Sequence, residues 1–255
     1  MVILIFFEES QPDGWNIMRT VVIPTLNEEE NIEPLVRSIF HHLGKEEVTV
    51  IIVDDNSNDN THGAVEQLMN EYANLSMIVR VHEKGLGSAV REGASNAPSG
   101  PIVVMDADFS HHPRYLPRIF EKLKAGYDVV VGSRHTEGGA IVGWPSNRIA
   151  MSLIATRLVA MLFRVNTTDP MSGLVGCKSA QLLMTGFQSK GFKFLLEILV
   201  RNPTLRVVDV PIVFHDRVRG NSKLGSETII QFLTLVIKLL FIRKLRQNGD
   251  SPEVS

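Results

Sequence analysis

The chain is nearly free of cysteine: Cys177 is the only one in 255 residues. An internal disulfide is therefore excluded, and a reducing compartment fits. An excess of one charge is missing too. Twenty-six Lys and Arg against 28 Asp and Glu leave a formal net charge of −2, so nucleic acid is not expected as a partner. There is no long low-complexity stretch, no internal repeat, and no apolar run of the ~20 residues that span a bilayer. The long membrane channel of a processive polysaccharide synthase is thereby excluded. Residues 1–18 begin apolar (MVILIFFEES) but lack a basic region and a small-residue cleavage site, which argues against a signal peptide. They are expected as an N-terminal arm, either an extra edge strand or a loosely held segment.

Several chemistries are also missing. His111 and His112 have no Cys/His partner set at ligand spacing, so zinc is not expected. GLGSAVREG (85–93) does not follow the first strand and its third glycine is misplaced for a dinucleotide fingerprint. It reads as a tight strand-to-helix turn near a ligand. Ser172 in DPMSG (169–173) is outside the G-x-S-x-G pattern of a hydrolase elbow.

What is present is a globular composition, 44% apolar and 21% charged. Short β-branched runs lie at 19–25, 48–55, 76–82, 101–108 and 127–133. Such continuous apolar strands suit a parallel sheet covered on both faces. Between them, Ile32, Leu35, Val36, Ile39, Phe40 and Leu43 repeat with helical spacing, as do Val65, Leu68, Met69 and Tyr72, and Leu116, Ile119, Phe120 and Leu123. The alternation predicts right-handed βαβ units in a doubly wound α/β domain. Ligands of such sheets bind beyond the carboxyl ends of the strands. The polar segments PTLNEEEN, DDNSNDNT, DADFSHHP and GSRHTEGG (from 24, 54, 106 and 132) are all predicted to open on that one edge.

Burying carboxylates there is costly unless something neutralises them. Asp106 and Asp108, one residue apart, suggest Mg2+ or Mn2+, which takes one or two carboxylates and fills its shell with water and phosphate oxygens. Asp54 and Asp55 end a second strand on the same edge, where a carboxylate can accept hydrogen bonds from a base or ribose. Arg134, Arg217 and Lys223 lie in later polar segments, and cations opposite a metal are what a phosphate-rich ligand requires. Residues 226–246 form an apolar helix pattern closed by Arg243, Lys244 and Arg246, which reads as a helix in the membrane interface or against a membrane partner. Residues 147–165 are similar, with Arg148, Arg157 and Arg164 among apolar residues, although an ordinary core helix is the simpler reading there.

Taken together, the sequence resembles the inverting nucleotide-sugar glycosyltransferases of GT-A fold. Among them it is similar to the dolichyl-phosphate mannosyltransferases, or polyprenol-phosphate sugar synthases. The motifs that carry the likeness are VVIPTLNEEENI, IIVDDNSNDNT, GLGSA, VMDADFSHHP, VVGSRHTEGG, DPMSG and FHDRVRGNSKLG, in that order across about residues 19–225. The resemblance implies a single Rossmann-like GT-A domain over 19–225 with a mostly parallel twisted sheet and helices on both faces. Residues 226–255 would follow as an apolar membrane-associating helix and polar tail. It implies a nucleotide site lined by Pro24, Leu26 and Glu28, with Val53 and Asp55 near the base. Asp106, Ala107 and Asp108 would form the metal and diphosphate site, with Ser110 reaching the metal through water. Arg134, Arg217 and Lys223 would bind the diphosphate and the acceptor phosphate, and with Asp108 they are the expected catalytic residues. Two positions depart from the family pattern: Leu26 replaces its usual tyrosine, and Ser110 its frequent glutamine.

The implied reaction is metal-dependent, inverting transfer of a hexose to dolichyl or polyprenyl monophosphate, most simply mannose from GDP-mannose. A phosphate acceptor, with a second pKa near ~6, is already anionic at neutral pH and needs positioning rather than a protein base. A glucosyltransferase using UDP-glucose and a non-catalytic scaffold subunit are the alternatives. The expected setting is peripheral, on the cytoplasmic side of a membrane, against its surface or a small membrane protein partner.

Overall fold

The β-branched runs become strands where both of their faces find apolar cover. The computed structural model describes residues 18–187, 193–216 and 234–243. Its strands are β1 (Arg19–Thr25), β2 (Val48–Asp54), β3 (Leu75–Val79), β4 (Ile102–Val104), β5 (Val129–Ser133), β6 (Ala140–Val142), β7 (Val175–Cys177), β8 (Val207–Pro211) and β9 (Val213–His215). Its helices are α1 (Glu29–Leu43), α2 (Thr61–Met69), α3 (Leu86–Ser95), α4 (Leu116–Lys124), α5 (Ser146–Phe163), α6 (Ala180–Thr185) and α7 (Phe194–Arg201).

Seven strands pair in the order β3-β2-β1-β4-β7-β5-β8, and β6 pairs with β9 in a small second sheet. The large sheet is parallel except for β7, which runs antiparallel between β4 and β5. The expected mostly parallel α/β architecture is therefore present. Alternate residues of each strand feed two cores. Val21 and Ile23 join α1, α2 and α4 on one face, while Val22, Ile51 and Val53 join α3, α6 and α7 on the other. Because β1, β2, β4 and β5 point the same way, their following loops share one edge.

The helical stripes of α1 and α4 are buried as their spacing requires. Met69 is instead exposed, and Tyr72 is buried beyond the end of α2, stacked on Phe40 at a centroid separation of 4.2 Å. The third strand stops at Val79 rather than running to 82, because Arg80 turns inward to an ion pair described below. Strands β6 to β9 had no sequence signal, being three to five residues long and paired through distant chain.

The larger correction concerns residues 147–165. They form α5, but only Thr156, Val159 and Phe163 of that helix are buried, so it is not a core helix. Residues 234–243, inside the expected 226–246 helix, are helical. The arm at 1–17, the rest of 226–246, and the polar tail lie outside the described residues.

Helix α3 crosses β1 in close contact at Gly93, where an added Cβ would sit 2.5 Å from Val22 Cγ1 and 3.1 Å from Val53 Cγ2. Overpacking of this kind costs about 1–3 kcal/mol. Gly93→Ala is expected to lower the urea midpoint accordingly with an unchanged m-value, measured by equilibrium unfolding.

Candidate active site

The first two loops of the carboxyl edge are laced to each other. Thr25 lies beside Asp54 in the β1–β2 register, and its hydroxyl donates to Asp54 Oδ1 at 2.9 Å. Asp54 is fully buried and also accepts from the Ser57 amide (2.7 Å) and hydroxyl (2.5 Å), with His62 Nε2 2.6 Å away. Burial alone would push this carboxyl up, but the bonds from Ser57, His62 and Thr25 outweigh it and hold the group below the usual carboxylate range. Further out, the Asn27 amide donates to Ser57 Oγ, the Asn58 amide to Asn27 Oδ1, and the Glu28 amide to Thr61 Oγ1, all at 2.8–2.9 Å. Asn27 and Asn56 adopt left-handed backbone, φ 57° and 59°, which asparagine tolerates.

Asp55 is nearly buried and faces inward. Arg80 donates to its Oδ1 through Nε at 2.8 Å and through Nη2, and the Gly85 amide donates to Oδ2 at 2.7 Å. Arg80 also donates to Ser88 Oγ and the Gly85 carbonyl. The GLGS turn is thus tied to the second strand by one ion pair, and Arg80 went unnoticed in the sequence because it sits inside an apolar run.

The third loop holds the paired acids. Asp106 keeps 29% of its side chain exposed, while Asp108 is buried and its Oδ1 accepts from the Ser110 amide at 3.0 Å. That turn requires Phe109 at φ 59°. Left-handed backbone in a bulky residue costs about 1–3 kcal/mol and persists where the surroundings enforce it. Gly173, from DPMSG, clears space beside Asp106: a Cβ there would lie 2.3 Å from Oδ2. His111 is buried, with Nδ1 3.3 Å from Ser110 Oγ and 3.5 Å from Asp106 Oδ2. Burial pushes its imidazole down to about 4, so it adds no charge to the site at neutral pH.

The fourth loop is held by a buried ion pair. Arg134 donates to Asp169 through Nε (2.7 Å), Nη2 (2.8 Å) and its amide (3.2 Å). Burial pushes the Asp169 carboxyl up, but the Arg134 hydrogen bonds and charge win and hold it below the usual range. Arg134 also lies over Phe214, 5.4 Å from the ring centroid. Beside it, Arg148 stacks on Trp144 at 3.9 Å, and the Trp144 indole donates to Asp216 at 3.0 Å. Lys193, at the start of α7, lies among Arg134, Asp169 and Asp106, and burial pushes its ammonium down to about 8. Asp169, Arg148 and Lys193 carried no individual signal, since nothing in their spacing links them to Arg134 or Asp106.

Of the expected site residues, Pro24, Leu26, Glu28, Asp106 and Arg134 are partly exposed on the shared edge. Val53 points its side chain into the core against α3, and Ala107 is likewise buried. Neither offers a side chain to a ligand. The Asp55 carboxylate is engaged by Arg80 rather than turned to the edge. Arg217 and Lys223 lie outside the described residues. Asp106 and Asp108 suit a hard divalent cation: they are oxygen donors, Asp106 is partly exposed, and two carboxylates leave positions for water and phosphate.

The sequence profile of glycosyl transferase family 2 matches residues 20–182. A dolichol-phosphate mannosyltransferase of Pyrococcus furiosus is 36% identical over 87% of this chain, which spans 63% of that protein's length. One from Saccharomyces cerevisiae is 35% identical over 92% of this chain and 91% of its own. Among solved structures, glucosyl-3-phosphoglycerate synthase from Mycobacterium tuberculosis superposes with a TM-score of 0.66 at 20% identity, over 89% of this chain and 80% of that one, in a complex with Mn2+, UDP and glucosyl-3-phosphoglycerate. The same enzyme with Mg2+ and UDP also gives 0.66 at 20% identity, over 89% of this chain and 79% of that one. These structures establish the GT-A fold.

Removing one partner of a buried ion pair costs about 3–5 kcal/mol. Asp169→Asn is expected to lose that much at pH 7. Because the native Asp169 pKa is depressed, its contribution is complete above the unfolded value near ~3.9 and fades as pH falls through the native one. Urea midpoints taken from pH 7 downward should therefore differ by a constant amount above pH ~4 and draw together only as the pH falls below that value.

Proposed function

The chain belongs to glycosyl transferase family 2, and from that premise we propose that it transfers mannose from GDP-mannose to dolichyl or polyprenyl monophosphate, with inversion at the sugar. The observation that carries this reading is the identity to dolichol-phosphate mannosyltransferases along nearly the whole chain. The edge geometry is compatible with it. Asp106 opens to solvent beside Asp108, and the Arg134–Asp169 pair lies across the same site.

The donor nucleotide is assigned to the laced loops after β1 and β2, lined by Pro24, Leu26 and Glu28. The Asp55–Arg80 pair acts there by shaping the GLGS turn, and Val53 by supporting it from the core. Mn2+ or Mg2+, when bound, would be held by Asp106 and Asp108, with Ser110 reaching it through water, and would neutralise charge on the departing diphosphate. Arg134 is fixed to Asp169 by two guanidinium hydrogen bonds and one from its amide, which leaves its other guanidinium donors for an anion. A preorganised cation of this kind holds an anionic acceptor phosphate in line with the sugar without reorganising during reaction. Arg217 and Lys223 supply further positive charge for the two phosphate groups. The acceptor is ionised near neutral pH, so attack requires no deprotonation by the protein.

A lipid-borne acceptor places the enzyme at a membrane, peripherally and on its cytoplasmic side. The single cysteine, buried in β7, agrees with a reducing setting.

The test offers radiolabelled GDP-mannose, UDP-glucose and other nucleotide sugars with a short polyprenyl phosphate, with and without Mn2+, and follows label into the organic phase. Only mannose is expected to transfer, and only with the metal. Asp108→Ala should lose on the order of a hundredfold or more in rate while retaining its circular dichroism spectrum. Glucose transfer without mannose transfer would overturn the donor assignment, and full activity of the variant the metal assignment.

A further inference from the structure

We propose that Asp216 is a positioning residue for the sugar acceptor: by accepting the indole N–H of Trp144 it fixes the ring around which Arg134 and Arg148 are gathered. This rests on the transferase reading above, which supplies the two substrates and gives Arg134 to the acceptor phosphate.

Asp216 stands where two distant parts of the chain meet. It directly follows β9, and the pairing of β9 with β6 brings it to the turn that leads into α5. Its amide donates to the Val142 carbonyl at 2.8 Å. Gly143, next in that turn, has left-handed backbone at φ 91°, and a Cβ there would sit 3.0 Å from the Asp216 Cβ. Glycine thus supplies both the turn and the close approach. Trp144 then donates its indole N–H to Asp216 Oδ1 at 3.0 Å. Arg148, in the first turn of α5, lies 3.9 Å from the centroid of that ring, and Arg134 lies 6.0 Å from it. Phe214 meets the ring edge-on at 5.4 Å. The His215 amide donates to the Ser110 carbonyl at 3.1 Å, which ties the same short strand to the loop of Asp106 and Asp108.

The energetics of Asp216 point to orientation rather than stability. The Asp216 and Arg148 side chains stay 39% and 31% exposed, with 3.7 Å between their charged atoms. A partly exposed pair at that separation adds little to stability. A carboxylate beside a site for phosphates also repels the ligands, so its place here calls for a compensating role. Among the described residues, Arg148 Nε is buried without a hydrogen-bond partner. The guanidinium is therefore oriented by the ring face it stacks on, and stacking leaves its in-plane donors available. Trp144 in turn is the ring that sets how Arg134 and Arg148 are spaced. Its one polar atom is held by Asp216, which stops the indole from turning in its own plane and carrying the two cations apart.

The test compares steady-state kinetics of full-length variants with GDP-mannose, Mn2+ and a short, water-soluble polyprenyl phosphate. Asp216→Ala is expected to lower kcat/KM for the polyprenyl phosphate by about ten- to a hundredfold. The KM for GDP-mannose should stay within about twofold of wild type, and the urea midpoint should not move. Asp216→Asn keeps an oxygen for the indole and should recover activity to within about threefold of wild type. Trp144→Phe removes the N–H but keeps a ring face, and should match Asp216→Ala. The double variant should be no worse than either single one, since both delete the same contact. Losses that multiply in the double variant, equal losses for both substrates, or wild-type kinetics in Asp216→Ala would overturn the proposal. Binding is also followed without turnover, through the emission of Trp144 in Trp15→Phe protein, where it is the only tryptophan left of two. The polyprenyl phosphate should shift that emission, with a Kd about tenfold weaker in Asp216→Ala; equal Kd values, or no response, would overturn the assignment. If the wild type transfers no sugar yet the titration gives this difference, the transferase reading falls and the positioning role of Asp216 stands.

Discussion

Carboxylates gathered at one edge of a buried sheet must each be neutralised or left to water, because the low-dielectric interior penalises an uncompensated charge. Most of the local structure at this edge answers that demand. Asp54 is wrapped by hydroxyls, an amide and an imidazole, Asp55 is closed by Arg80, and Asp169 by Arg134. Asp106 instead keeps part of its side chain exposed, its carboxylate packed against Gly173 where a Cβ would not fit. The same need that ties the loops down thus also separates the acids that hold the scaffold from the acid that keeps part of its side chain exposed.

This division gives the polar segments different tasks. DDNSNDNT and GLGS are joined through Asp55 and Arg80, which shape the floor of the edge. DPMSG contributes in two ways, since Asp169 orients Arg134 while Gly173, four residues on, admits the Asp106 carboxylate. Ser172 fastens that segment to β5 by donating to the Gly132 carbonyl at 2.6 Å. Rigid ion pairs beneath the loops keep the dipoles and cations of this edge in place.

The antiparallel strand β7 links the two halves of this arrangement. It bridges β4, which leads to Asp106, and β5, which leads to Arg134. The small β6–β9 sheet then places Phe214 against both His111 and Arg134, and Trp144 against Phe214. Helix α5 departs from that aromatic corner with its apolar side outward, so the corner beside Arg134 and the exposed apolar face are parts of one continuous segment of chain.

The local patterns of the sequence determined the parallel strands, the buried stripes of α1 and α4, and the common edge for four polar loops, because strand and helix periodicities are read from adjacent residues. They also singled out Asp106 and Asp108, through their spacing together with the other polar segments expected on the same edge. Only the tertiary structure decided that Asp55 turns inward to Arg80, that Val53 faces the core, that Asp169 grips Arg134, and that α5 is exposed rather than central. Each of those outcomes depends on partners 25 or more residues apart or on which side of an apolar helix meets another element. An apolar composition specifies that a side chain prefers to leave water, but the packed fold specifies whether protein or something outside it provides the cover.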